Sequence, residues 1–157
     1  MVGVADMQIS GNVGDVIITH ALGSCLGIVI HDPVAKVGGM LHVMLPQSNI
    51  DPAKAAKNPY MFVDTGVPIL FKECYKLGAS KDRLIIKVAG GAAVQSQEKA
   101  DFFQIGKRNF VILRKLLWKN GVMIKNKDVG GSISRTMSME IGTGEVTIAS
   151  RGKKSSL

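Results

Sequence analysis

The chain has 157 residues, enough for one domain with a substantial core, and its 20 Lys and Arg against 12 Asp and Glu give a formal charge of +8. Hydrophobic residues make up 46% and charged residues 20%, which excludes a disordered chain, and no apolar stretch reaches the roughly 18 residues of a membrane helix. Only two cysteines are present, Cys25 and Cys74, too far apart for a disulfide scaffold or a paired-thiol zinc site, so a reducing cytoplasm is the expected compartment.

Residues 1–8 carry Asp6 and neither Lys nor Arg, and so do not read as a secretory leader. The first half then reads as β structure. Residues 16–19 and 26–30 are β-branched apolar runs, Asp32-Pro33 opens a turn extending to Gly38-Gly39, and residues 40–45 are apolar apart from His42. Continuous rather than alternating runs predict strands buried on both faces. Pro46 ends this segment, and residues 51–59 read as a polar loop or short helical turn.

A helix is predicted over 65–77, capped by Asp64 or Thr65, with Pro68 in its first turn and Gly78 as its stop. Leu70, Phe71, Cys74 and Leu77 form its apolar stripe. Residues 83–89 read as a strand leading into Gly90-Gly91. A second helix over 106–120 places Phe110, Leu113 and Leu117 on one face, closed by Gly121, and residues 122–125 form a short strand. Residues 134–140 and 145–149 alternate around Gly142-Thr143-Gly144, a hairpin pattern. Residues 151–157 read as a solvated basic tail on a single domain spanning 1–150. The sum is an α/β domain with a mixed, largely antiparallel sheet and two principal helices.

Cys25 follows Gly23-Ser24 and immediately precedes a strand. A thiol on a tight turn has backbone amides beside it that can hold the oxyanion formed when a carbonyl is attacked. Burial as a small hydrophobe is the commoner fate of a cysteine. His42 bears on the choice. A hairpin about the Asp32–Gly38 turn sets His42 opposite Gly27, one step along the sheet face from Cys25 and within roughly 7 Å of it. A slip of one residue would send the imidazole to the other face. A histidine inside an apolar strand needs a polar partner, either backbone in a packed core or a thiol in a Cys–His dyad. Thr19, ending the preceding strand, can offer a hydroxyl to orient the ring; His20 and Asp32 compete by residue type, and His31-Asp32 reads as a surface pair or Asx-turn.

Ala89-Gly90-Gly91-Ala92 lacks the Lys-Ser or Lys-Thr of a P-loop, and Gly38-Gly39 and Gly130-Gly131 lack a dinucleotide fingerprint. The Lys and Arg residues are scattered and little interleaved with aromatics, so neither a nucleic-acid platform nor membrane insertion is expected.

The set Thr19-His20-Ala21-Leu22-Gly23-Ser24-Cys25, Asp32-Pro33 and His42-Val43-Met44-Leu45-Pro46 resembles the signature of the CheD family of chemoreceptor glutamine deamidases. Gly90-Gly91-Ala92, Ile105-Gly106-Lys107-Arg108-Asn109, Asp128-Val129-Gly130-Gly131 and Thr143-Gly144-Glu145-Val146 are similar to that family's later blocks, in the same order. The sequence departs from the family pattern at Ser132-Ile133-Ser134 and at Ala21, where Gly is common. The resemblance implies a three-layer α/β sandwich like the deamidase domain of cytotoxic necrotizing toxins. It also implies Cys25 as nucleophile, His42 as base and then acid, Thr19 as the group orienting His42, and no metal or cofactor. The implied activity converts glutamine to glutamate on the cytoplasmic helical domain of a chemoreceptor, with release of ammonia; the excess positive charge would steer such an acidic substrate. A CheC-like phosphatase of CheY is the implied partner, which leaves a non-catalytic regulatory binding role as the alternative. Ser24, Phe102 and Phe103 are the candidates for substrate or partner contact, and a monomer is the default state.

Overall fold

The structure is a computed structural model describing residues 1–93 and 100–157, with backbone alone for residues 100–104. Among these, β1 (Asp6–Ser10), β4 (Val37–Val43), β3 (Leu26–Asp32), β5 (Ile85–Gly90) and β6 (Ile124–Val129) form a five-stranded sheet in that spatial order. Only the β5–β6 pair is parallel. A second, antiparallel sheet runs β2 (Val16–Leu22), β7 (Arg135–Glu140), β8 (Val146–Ser150) and β9 (Lys153–Ser156). The helices are α1 (Pro52–Lys57), α2 (Val63–Lys76) and α3 (Ala100–Lys119). None of the described helices is long and apolar enough to cross a membrane.

Every residue of β3 and β4 is buried, as continuous apolar runs require when both faces are covered. Leu26, Ile28 and Ile30 of β3 and Leu41 and Val43 of β4 pack with Val67 and Leu70 of α2 and Leu113 and Leu117 of α3. From the opposite face, Val29 and Met40 join Ile17, Leu22, Met137, Met139 and Ile148 of the second sheet. The result is three layers: helices, five-stranded sheet, four-stranded sheet.

The β3–β4 hairpin is set by Asp32. Its Oδ1 accepts from the amides of Val34 (2.9 Å) and Ala35 (3.0 Å), while Lys36, at φ 56°, donates to the Asp32 carbonyl (2.9 Å). The Asx-turn is therefore present, but His31 and Asp32 are buried rather than a surface pair. His31 reaches the Ile141 carbonyl through Nε2 (2.7 Å). Arg83, distant in sequence, donates to both Asp32 carboxylate oxygens through Nε at 3.0 Å and approaches Oδ2 through Nη2 at 2.9 Å.

Helix α2 starts two residues before the expected position and has no side-chain cap. The chain enters it from a parallel bridge between Leu45 and Phe62, and the Val63 amide donates to the Leu45 carbonyl (2.9 Å). Asp64 accepts instead from the amide and hydroxyl of Ser48, and Pro68 falls in the second turn. The buried stripe is Val63, Val67, Leu70 and Cys74; Leu77, expected on it, is an exposed C-cap, with Gly78 beyond at φ 105°. β6 begins at Ile124, later than expected, because its extent is fixed by parallel pairing with β5. Residues 151–157, expected as a free tail, instead turn at Arg151 (φ 52°) and Gly152 (φ 77°) into β9. That positive-φ pair makes a two-residue hairpin connection, and the Leu157 carbonyl accepts from Lys87 Nζ (2.6 Å).

β2 carries a bulge: pairing with β7 shifts between Thr19 and Leu22, and Ala21 sits at φ 58°. A left-handed conformation costs an L-residue with a Cβ about 1–2 kcal/mol, which glycine avoids. Ala21→Gly is therefore expected to stabilise the protein by ~1 kcal/mol and raise Tm by about 3 °C, read by circular dichroism melting. A lower Tm in the variant would contradict this account of the bulge.

Candidate active site

The β2 bulge arranges the first part of the site. Ile17 and Thr19 face inward at the two-residue period of a strand; the extra residue at His20-Ala21 resets that period, so Leu22 faces inward too. Thr19 is thereby buried against β4, which presents His42 directly opposite Gly27 of β3. Gly27 gives up its side-chain space to the second sheet: a Cβ there would lie 2.9 Å from both Leu22 Cδ1 and Met137 Sδ. Cys25, two residues earlier, is half-buried and packs on this same inter-sheet cluster. Thr19, Cys25 and His42 are thus brought to one face of the five-stranded sheet.

Hydrogen bonding sets the tautomer of His42. Thr19 Oγ1 lies 2.7 Å from His42 Nδ1 and 2.8 Å from the carbonyl oxygen of Val2. A hydroxyl has one hydrogen and a carbonyl only accepts, so that hydrogen goes to Val2 and the hydroxyl oxygen accepts from Nδ1–H. The lone pair of His42 is consequently on Nε2, which is buried and has no hydrogen-bond partner among the described residues. Val2 is held in turn by its own amide, which donates to the Ile18 carbonyl (2.8 Å).

Burial holds the His42 imidazole below its ordinary 6.5. It also pushes the Cys25 thiol above its ordinary 9.0, against a smaller opposing effect of the residue's own N–H. Near neutrality both groups are uncharged. A neutral thiol and a neutral imidazole suit general-base chemistry rather than chemistry from a standing thiolate.

The turn bearing Cys25 is fixed by the segment at the end of β5. The carbonyls of Gly23 and Cys25 accept from the amides of Ala92 and Gly91, both at 2.8 Å. Gly90, at φ 111°, lies so close beneath that a Cβ would collide with the Cys25 carbonyl. On the far side of that loop, a Cβ at Gly106 of α3 would come within 2.8 Å of the Gly91 carbonyl. The Gly90-Gly91 step at the end of β5 is therefore a close-packing device beneath the turn. Arg135 closes the rim, donating through Nη2 to the Gly130 carbonyl (2.9 Å) and Asp128 Oδ1 (3.3 Å) and through Nη1 to the Gly90 carbonyl (3.3 Å).

Of the competing orienting groups, exposed His20 lies beside Thr136 (3.4 Å), and Asp32 is committed to Arg83; among the described residues neither hydrogen-bonds to His42. Ser24 is half-buried beside Cys25, and its carbonyl accepts from Asn109. The side chains of Phe102 and Phe103 lie outside the described residues. Sequence reasoning missed Val2, whose contribution is a backbone carbonyl with no side-chain signature. It also missed Asn109, which does leave a signal: a polar residue four and eight positions before Leu113 and Leu117, in line with the buried stripe of α3.

A half-buried thiol and a buried, neutral imidazole of defined tautomer thus share one face of the five-stranded sheet. Residues 44–150 match the family described as CheD chemotactic sensory transduction. Over 152 residues the chain is 49% identical to a protein of Syntrophus aciditrophicus (strain SB) named probable chemoreceptor glutamine deamidase CheD 1, covering 97% of this chain and 94% of that one. A Solibacter usitatus (strain Ellin6076) protein named probable chemoreceptor glutamine deamidase CheD is 48% identical over 157 residues, 100% of this chain and 92% of its own. A Pyrococcus abyssi (strain GE5 / Orsay) protein of the same name is 41% identical over 145 residues, 92% and 87% of the two chains. The chain belongs to the CheD family.

Proposed function

We propose that this chain deamidates glutamine side chains on the cytoplasmic helical domain of chemoreceptors, producing glutamate and ammonia by way of a Cys25 thioester. The observation that carries the reading is the relay from His42 Nδ1–H through the Thr19 hydroxyl to the Val2 carbonyl, which leaves Nε2 as a base without a hydrogen-bond partner among the described residues. Cys25 Sγ attacks the carboxamide carbon while its proton passes to Nε2. The tetrahedral oxyanion is held by backbone N–H groups, that of Cys25 included. The imidazolium then gives its proton to the amide nitrogen, because an amide anion is too basic to leave unaided. Ammonia departs and the thioester forms. Water, deprotonated by Nε2, hydrolyses the thioester to the glutamate carboxylate and returns the proton to sulfur.

A CheC-like phosphatase, the partner implied by the family resemblance, would compete with the receptor for this site. The test is mass spectrometry of a receptor cytoplasmic fragment after incubation with the enzyme, mapping the glutamines converted to glutamate. Cys25→Ala is expected to abolish conversion with the fold intact. Conversion retained by that variant would remove Cys25 as nucleophile.

A further inference from the structure

We propose that Asn109 is a positioning residue, whose side-chain amide presets the N–H of Cys25 as an oxyanion donor; this rests on the deamidase reading above. Asn109 is fully buried in α3. Its Nδ2 donates to two carbonyls, those of Ser24 (3.0 Å) and Met44 (3.1 Å). Both neighbours can only accept, so the orientation of the amide is unambiguous. The first lies in the turn bearing the nucleophile; the second lies two residues beyond His42, where β4 ends. One side chain thus holds both chain segments that carry the chemistry.

The Ser24 contact has a stereochemical consequence. In a planar trans peptide the carbonyl and the following N–H point in opposite directions. Holding the Ser24 carbonyl toward α3 turns the Cys25 N–H away from the helical layer, to the inter-sheet side on which Cys25 packs and His42 lies. Among the described residues no carbonyl accepts that N–H. The flanking carbonyls of Gly23 and Cys25 are held by the Ala92 and Gly91 amides, so all three carbonyls of the turn are engaged. Of the three, the Ser24 carbonyl is the one held by a side chain among the described residues, and its peptide carries the Cys25 N–H.

Asn109 is also an inefficient way to fill space. Its Oδ1 is buried with no partner among the described residues, an arrangement that costs stability. A buried amide with an idle acceptor is accounted for by what its donors do.

The experiment uses the full chain with a receptor cytoplasmic fragment as substrate, following ammonia release, together with alkylation of Cys25 by iodoacetamide. Alkylation displaces iodide at a saturated carbon and needs no oxyanion donor. Asn109→Ala is expected to lower kcat by about 10²-fold, in line with loss of an oxyanion contact, with KM and the rate and pH profile of alkylation unchanged. Asn109→Leu, which keeps the volume and removes the idle acceptor, is expected to fold and to show the same split. Parental kcat in either folded variant overturns the proposal. So does an alkylation rate that falls in step with kcat, or failure of both variants to fold, since each marks a structural role. Absence of turnover by the parent sinks the deamidase reading and this inference with it, whereas full turnover by a variant sinks the inference alone.

Discussion

Replacing His42 by Ala is expected to slow ammonia release from receptor fragments by about 10²–10⁴-fold, the range for loss of a positioned general acid–base group. The pH dependence identifies the role. Burial disfavours imidazolium, so the pKa of His42 lies below 6.5 and the ring remains a competent base down to that point. At limiting substrate, parental activity therefore falls only on acidification past this depressed value, and the acid limb disappears in the variant. Alkylation of Cys25 follows the thiolate, whose formation burial delays to above pH 9.0. The two profiles are thus widely separated, with a plateau of turnover between them. Fast alkylation already present at pH 6 would mean a standing thiolate–imidazolium pair and would contradict the neutral-pair mechanism.

The second large effect concerns the fold. Asp32 is fully buried, at the far end of the β3–β4 hairpin from the site. Burial alone would raise its carboxyl pKa. The Arg83 guanidinium and the amides of Ala35, Ser80 and Val34 outweigh that and hold it well below the usual carboxylate range. Asp32→Asn turns one acceptor oxygen into an NH₂ facing other donors, and is expected to destabilise the protein by ~3 kcal/mol at pH 7 in urea unfolding. Because the folded pKa is depressed, the contribution of this carboxylate is complete above the unfolded value near 3.9 and is lost as pH falls below it. At pH 3 the gap between parent and variant should therefore narrow by about 1 kcal/mol. A gap that widened on acidification would show that Asp32 is not stabilised as the anion.

The placement of His42 opposite Gly27 was legible to within one residue from the Asp32-Pro33 turn and the apolar runs beside it, and strand pairing fixes it. The double coverage of β3 and β4 was equally legible in their unbroken hydrophobicity. β1 was not: Asp6–Ser10 is a half-buried edge strand of mixed character, and pairing with β4 rather than composition makes it a strand. The burial of Asp32 depends on Arg83, and the position of β6 on β5, partners that local patterns do not reveal. The site divides the same way. Side chains with intrinsic chemistry stand out in sequence, whereas the backbone groups around them become visible only once the chain is folded.

The Val2 carbonyl carries a consequence for how this site responds to genetic variation. Every amino acid brings the same carbonyl to position 2, so a scan of point substitutions there reads packing and passes over the polar role entirely. Only a change in chain path can withdraw that acceptor, for example trimming the first residues or pulling them outward with a fused partner. The Thr19 hydroxyl would then be free to turn its hydrogen toward the ring, and the proton on His42 would no longer have an assigned nitrogen. Control of a side-chain tautomer rests here on the most mutation-proof atom type a protein has.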